Sequence, residues 1–345
     1  MTDPSTHLRA RLEHAGWDHD LAIETTFDVP APAPGQVRVR VEACGVCHRD
    51  LIDRAGRFPF LQLPVTPGHE AVGRVVAVGE GVTRFREGDR VATMHRDSCG
   101  QCDACLRGEV SLCQGAAWVF GIVADGGYST DLVAPASAFY AADEGMSAPE
   151  AAVFHCTFGT AYRDLVTLGH LKAGERVIVT GANGGVGTAA IAIAKRLGAH
   201  AVAITRSESH RELLTKLGAA EVIVDATGAF HKKVEPADLV LEAVGYATFN
   251  ASMRSLKIGG RMVIVGNIDP ARPELNLGYL ITHGLSITGG SGATPREMEA
   301  LQSMHRKEPF SIPIAKTLPI SAADEAQRAV RAGGLEGRIV LTSPA

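Results

Sequence analysis

Apolar side chains recur at every second position in "VRVRVEA" (37–43) and "GRVVAVG" (73–79), the alternation of half-buried strands. Gly and Pro punctuate the whole stretch from 21 to 140, which predicts a β-rich domain of short strands joined by tight turns. From about Glu175 the texture changes. "RVIVTG", "AHAVAIT", "EVIVD", "ADLVLEAVG", "RMVIVGN" and "SITGG" are short apolar runs, interleaved with helix-period segments such as "GVGTAAIAIAKRLG" and "HRELLTKLGA". Strands alternating with helices predict an α/β domain, a parallel sheet covered by helices on both faces. After Ala293, "TPREMEALQSMHRKEPFSIPIAKTLPI" has mixed character and is followed by the strand-like "GRIVLT". There is no internal repeat and no low-complexity segment.

A chain of 345 residues with 46% hydrophobic side chains can fill two cores. Its net charge of −4 comes without any block of like charges, which argues against nucleic-acid or membrane-surface partners. The N-terminal stretch is polar, without an apolar signal segment, and no run of 18 apolar residues follows, so a soluble, cytoplasmic protein is expected. Seven cysteines cluster along the chain, and in a reducing compartment clustering favours metal binding over disulfides.

Four of them, Cys99, Cys102, Cys105 and Cys113 in "CGQCDACLRGEVSLC", have the spacing C-x2-C-x2-C-x7-C. Four thiolates so close in sequence can wrap one tetrahedral Zn²⁺ and leave no position for water, a structural site. Polar Asp103, Arg107 and Glu109 argue against an unliganded buried cluster; an iron–sulfur cluster is the other metal reading. A second set is dispersed: Cys47 in "GVCHRD", His69 and Glu70 in "PGHE", and Cys156 in "AAVFHCTFGTAY". Two thiolates and an imidazole leave a fourth zinc position open, the pattern of a catalytic site. Each residue alone reads more readily as core packing, so this reading rests on the combination.

"GVCHRD", "PGHEAVGRVVAVGEGV", "GDRV", the four-cysteine lobe and "AAVFHCTFGTAY" follow one another in an order that resembles the zinc-containing medium-chain dehydrogenases/reductases over nearly the whole chain. The resemblance implies a GroES-like catalytic domain of residues 1–157 and 294–345, with the zinc lobe at 96–115, and a Rossmann domain of residues 158–293. It implies catalytic zinc ligands Cys47, His69 and Cys156, with Glu70 as a nearby or alternative ligand. Asp50 would support them from behind, and Arg338 would lie near Glu70 or the cofactor. Cys44 matches no ligand position and reads as a small buried side chain. A homodimer through the edge strand near "LSITGG", or a tetramer, is also implied.

"VTGANGGVGTAA" follows a predicted strand and opens a helix, so N–H groups around Gly181, Gly184, Gly185, Val186 and Gly187 can hold a pyrophosphate. Strict G-x-G-x-x-G would need glycine at Ala182; this form is closer to the quinone and enoyl reductases of the superfamily. At the end of the second strand, where NAD-selecting sites carry an acid, stand Thr205, Arg206 and Ser207. They suit the 2′-phosphate of NADP(H). NAD(H) is the alternative, with Glu208 on the ribose and Arg206 merely solvated.

In the family's alcohol dehydrogenases a Ser or Thr two residues after the zinc cysteine, and a histidine three further on, relay the alcohol proton to solvent. Here those positions are Arg49 and Ile52, which carry no such relay. "C-x-R-D-L" and "GGRMVIVGNIDPARPELNLGYLITHGLSITGGSGAT" resemble the NADPH-dependent acryloyl-CoA reductases. The expectation is reduction of the C=C bond of a short or branched 2-enoyl-CoA, an acyl-CoA thioester such as 3,3-dimethylacryloyl-, acryloyl- or crotonyl-CoA. His95 is the candidate donor to the thioester oxygen, with a pocket-wall role as its alternative. His48 is expected to face the cofactor phosphates, and His155 to contact the pocket or pack. The rival readings are a zinc alcohol or aldehyde dehydrogenase with another proton path, and an idle zinc- and nucleotide-binding protein.

Overall fold

The computed structural model describes residues 7–344 and divides into two compact units. The first comprises the chain to Cys156, Thr294–Met298 and the residues from Pro313 onward. Its strands are β1 (Arg9–Arg11), β2 (Ala22–Glu24), β3 (Gln36–Gly45), β4 (Ala71–Val78), β5 (Arg90–Thr93), β6 (Asp131–Pro135), β7 (Phe139–Ala141) and, late in the chain, β14 (Ile314–Pro319) and β15 (Arg338–Thr342). Seven of them form one sheet in the order β14-β15-β3-β4-β5-β7, with β6 also pairing β3.

The alternation seen in "VRVRVEA" is the reason for the register of β3 on β4 and β6. Val37, Val39 and Val41 are at most 1% exposed, while Arg38, Arg40 and Glu42 turn the other way. Each buried valine contributes about 1.5–3 kcal/mol, and a slip of one residue would place arginines in the core. Their core includes Phe120, Tyr128, Phe139, Ile339 and Leu341. The far end of β3 runs antiparallel to β15, with Gly45 opposite Val340, and delivers the chain to Cys47.

The second unit, Thr157–Ala293 with Glu299–Ile312, is the expected parallel α/β sheet. Its strands are β8 (Arg176–Val179), β9 (His200–Thr205), β10 (Glu221–Val224), β11 (Ala237–Glu242), β12 (Leu256–Ile264) and β13 (Ser286–Gly289), in the order β10-β9-β8-β11-β12-β13. All five pairings are parallel. The chain winds outward from β8 in one direction and from β11 in the other, so the switch point lies between those two strands.

Residues 299–312, which the sequence resemblance assigns to the catalytic domain, pack within this unit. Arg196, at the end of helix Gly185–Arg196, donates to the carbonyls of Met304 (3.4 Å) and Glu308 (2.9 Å) and lies 4.6 Å over the Phe310 ring. Phe310 packs in turn on Phe158, with ring centroids 5.1 Å apart. No helix of the described residues is long and apolar enough to cross a membrane.

Candidate functional site

Cys47 caps helix His48–Arg54, and its N–H donates to Asp50 Oδ2 at 2.9 Å, which fixes the carboxylate at the base of the site. Asp50 Oδ1 lies 3.0 Å from His69 Nδ1. That contact makes Nδ1 the protonated nitrogen and leaves the Nε2 lone pair facing outward, as a metal ligand requires. His69 is raised into place by Gly68, whose φ of +99° suits glycine, and a Cβ there would collide with the Tyr128 ring. Cys156 comes from a π-helical turn, His155–Gly159, that continues helix Ala148–Phe154 and aims its thiol at the same point.

Zinc bonds of about 2.3 Å to sulfur and 2.0–2.1 Å to nitrogen, in tetrahedral geometry, put sulfur atoms about 3.8 Å apart and a sulfur about 3.6 Å from a nitrogen. Cys47 Sγ and Cys156 Sγ are 3.8 Å apart, and Cys156 Sγ is 3.5 Å from His69 Nε2. The three residues therefore fit one Zn²⁺. The electrostatics agree: burial and Arg49 disfavour a charged His69, yet Asp50 and Cys47 outweigh them and push its pKa up to about 9. A positive charge is welcome among these ligands. A hydrogen bond from Cys156 and the charge of His69 hold the Cys47 thiol well below its ordinary range, against the opposing effect of burial.

Glu70 lies within the same cluster, Oε1 being 3.8 Å from His69 Nε2. Arg338 Nη2 donates to both of its oxygens, at 2.6 and 2.7 Å, and to the Val46 carbonyl at 2.8 Å. Of the two places the resemblance implies for Arg338, Glu70 is one that it contacts.

The lobe cysteines also form a cluster, with Cys99 and Cys105 sulfurs 4.0 Å apart and those of Cys102 and Cys113 3.9 Å apart, the spacing of a closed four-thiolate zinc site. The Cys99 N–H points at Cys113 Sγ (3.2 Å) and the Cys102 N–H at Cys99 Sγ (3.4 Å), which favours thiolates. Cys44 is fully buried and belongs to neither cluster, as expected.

His95 sits beside the open site. Its ring stands edge-on to His69 (5.2 Å between centroids) and to His155 (4.7 Å), and its Nε2 is buried without a partner. Burial, and then the charges of His155, His69 and Arg49, hold it well below the usual histidine pKa, in the neutral form. His155 also packs against Tyr140, with centroids 5.8 Å apart. Arg49 is tied along one edge, Nε to Asp53 at 3.1 Å and Nη2 to the Phe120 carbonyl. His48 is exposed on the first turn of its helix and is not a member of the metal cluster.

In the second unit β8 ends at Val179, and after Thr180 the chain turns at Gly181, whose φ is +57°. Gly184 caps helix Gly185–Arg196, so the N–H groups of Gly185, Val186 and Gly187 form its open first turn. Gly187 packs so closely that a Cβ would strike the Gly181 carbonyl. Thr205 is buried at the end of β9, with its Oγ1 3.5 Å from Asn183 Oδ1, while Arg206 and Ser207 are exposed. The carboxylate of Glu208 is clasped by Arg211, which holds its pKa low.

Two features were not anticipated from the sequence. Tyr128 Oη donates to Asp50 Oδ2 at 2.9 Å, and the carboxylate of Glu242 is buried at the end of β11. The sign for Glu242 was present in "ADLVLEAVG", an acid closing an apolar strand three residues before a glycine. Nothing local marks Tyr128, which lies 78 residues from its partner.

Residues 33–144 match the alcohol dehydrogenase GroES-like domain family and residues 185–306 the zinc-binding dehydrogenase family. The chain is 34% identical over 315 residues to an acryloyl-coenzyme A reductase of Metallosphaera sedula, covering 91% of this chain and 94% of that one. It is also 34% identical over 320 residues to an alcohol dehydrogenase of Geobacillus stearothermophilus, covering 90% and 93%. Among solved structures, that of AibC superposes with a TM-score of 0.92 at 35% identity, over 99% of this chain and 97% of that one.

Proposed function

The chain belongs to the zinc-binding dehydrogenases of the medium-chain dehydrogenase/reductase type, and from that premise we propose that it is an NADPH-dependent reductase of the C=C bond in short or branched 2-enoyl-CoA thioesters. The observation that carries this reading is Arg49. Its guanidinium, engaged by Asp53 and the Phe120 carbonyl, stands where an alcohol dehydrogenase keeps the hydroxyl of its proton relay, and Ile52 stands where the relay continues. The similarity to an acryloyl-coenzyme A reductase supports the same choice.

When bound, zinc would supply Lewis-acid polarisation of the thioester oxygen and the nicotinamide a hydride for the β-carbon, a solvent proton completing the α-carbon. The chain's own residues do the positioning. Asp50 holds Nδ1–H of His69, so that Nε2, Cys47 and Cys156 face one point, and Arg338 retains Glu70 beside them. Neutral His95 offers its unpaired Nε2–H to the thioester oxygen as negative charge grows there. N–H groups of residues 185–187 take the pyrophosphate, and Arg206 with Ser207 takes the 2′-phosphate, Glu208 being occupied by Arg211. The outer edge of β13, with exposed Ile258, Leu277 and Ile281 in the same unit, would pair two copies into a homodimer.

Absorbance at the nicotinamide band tests the proposal, with NADPH or NADH offered with 3,3-dimethylacryloyl-, crotonyl- or acryloyl-CoA, and NAD(P)⁺ offered with an alcohol panel in parallel. Rapid oxidation of NADPH by an enoyl-CoA is expected. Turnover of alcohols alone would overturn it in favour of a zinc alcohol dehydrogenase, the reading that the complete ligand triad and the Geobacillus relative favour.

A further inference from the structure

Glu242 is the last residue of β11, is 0% exposed, and is held entirely by neutral donors. Its Oε1 accepts from Thr180 Oγ1 (2.8 Å), the Val244 and Gly245 N–H groups (2.9 Å each) and Thr248 Oγ1 (2.7 Å), and its Oε2 from Ser252 Oγ. Thr180 Oγ1 accepts in turn from the Ala243 N–H at 2.9 Å. The Glu242 carbonyl takes the N–H groups of Val265 (2.9 Å) and Gly266 (3.1 Å). One residue thus ties together the chain leaving β8, β11 and β12. Glycines let these segments touch: a Cβ on Gly181 would lie 3.1 Å from Val244 Cγ2, and one on Gly245 3.0 Å from the Gly266 carbonyl.

This knot spans β8 and β11, the two strands that flank the switch point, and Thr180 immediately precedes the first glycine of the phosphate turn. We infer that Thr180 and Glu242 are positioning residues for the dinucleotide: the carboxylate latches the glycine turn to the loop after β11, so that both walls of the cofactor crevice are set before nucleotide arrives. A carboxylate suits the task because it accepts from five donors without presenting one of its own, whereas a glutamine amide would face some of them donor to donor. The inference concerns the cofactor and holds whichever substrate is reduced.

Zinc-loaded wild type, Thr180→Val, Thr180→Ser and Glu242→Gln would be titrated with NADPH and NADH, following fluorescence of the bound reduced nicotinamide, with nucleotide-free melting curves alongside. Thr180→Val keeps the shape and deletes the latch. It and Glu242→Gln should weaken both nucleotides by about ten- to a hundredfold, the fold-change of one lost hydrogen bond to a buried charge. The KM for NADPH should rise equally while kcat at saturation stays within about twofold, and Thr180→Ser should recover most of the affinity. Wild-type affinity in Thr180→Val would overturn the inference, even with a lower melting temperature, because the latch would then serve the fold alone. Thr180→Val decides the matter if Glu242→Gln does not fold.

Discussion

Replacing Arg338 with methionine leaves Glu70 as a carboxylate 2% exposed, next to two cysteine sulfurs and without its counter-ion. Methionine keeps much of the aliphatic stem but removes the donor that lies 2.6 and 2.7 Å from the two Glu70 oxygens and 2.8 Å from the Val46 carbonyl. Burial already pushes the Glu70 pKa up, and Arg338 is foremost among the groups opposing it. Breaking a buried pair from one side costs about 3–5 kcal/mol, which corresponds to roughly 6–20 °C of melting temperature for a unit of this size. Zinc held by the neighbouring ligands should soften the loss, since a divalent cation stabilises the same carboxylate. The assay is thermal unfolding by circular dichroism, on zinc-loaded and chelator-stripped protein, for wild type, Arg338→Met and the double variant Glu70→Gln/Arg338→Met. The single variant should lose most when stripped, and the double variant should regain at least half of that loss. A stripped single variant melting within about 2 °C of wild type, or a double variant no more stable than the single, would refute the reasoning.

Asp50→Asn should weaken zinc at the open site about 10–100-fold while the lobe keeps its ion, read by chelator competition with metal counted by native mass spectrometry; equal loss from both sites would mean general unfolding. His95→Ala should lower kcat for an enoyl-CoA about a hundredfold with a smaller change in KM, and unchanged turnover would remove His95 from the mechanism. Arg206→Ala should raise the KM for NADPH about tenfold or more and leave that for NADH within about twofold; parallel changes for both nucleotides would assign Arg206 to solvent.

The elements that the sequence reveals are those whose physics is local. The runs from "RVIVTG" to "SITGG" announce the parallel sheet because its central strands β8, β9 and β11 are buried on both faces, and the alternation in "VRVRVEA" announces β3 because one face is not. The lobe is visible because its four thiolates fall within 15 consecutive residues. What the residues alone leave hidden depends on partners far along the chain: Tyr128 meets Asp50 across 78 positions, and Arg338 meets Glu70 across 268, a contact that only the resemblance implied. The π-helical turn that aims Cys156 is not legible in "AAVFHCTFGTAY", because a run that is buried nearly all round has no amphipathic stripe whose phase could show the extra residue. Residues 299–312 were placed by resemblance alone, and the packing of Phe310 on Arg196 in the second unit leaves no local sign in the sequence.

The two clusters differ in how much chain each must close. Cys99 and Cys113 are separated by 14 positions, so the lobe can wrap an ion before any distant strand has paired, at a small entropic cost. Cys47 and Cys156 are separated by 109 positions and meet only when β3, β4 and the helix after Ser147 are in place. If both clusters take zinc, loading would follow an order: the lobe could close on an ion early, whereas the second cluster could take one only after the catalytic unit has folded. On that order, chains starved of zinc would be complete at the lobe and lack metal at the open site, and added zinc would reach them without refolding.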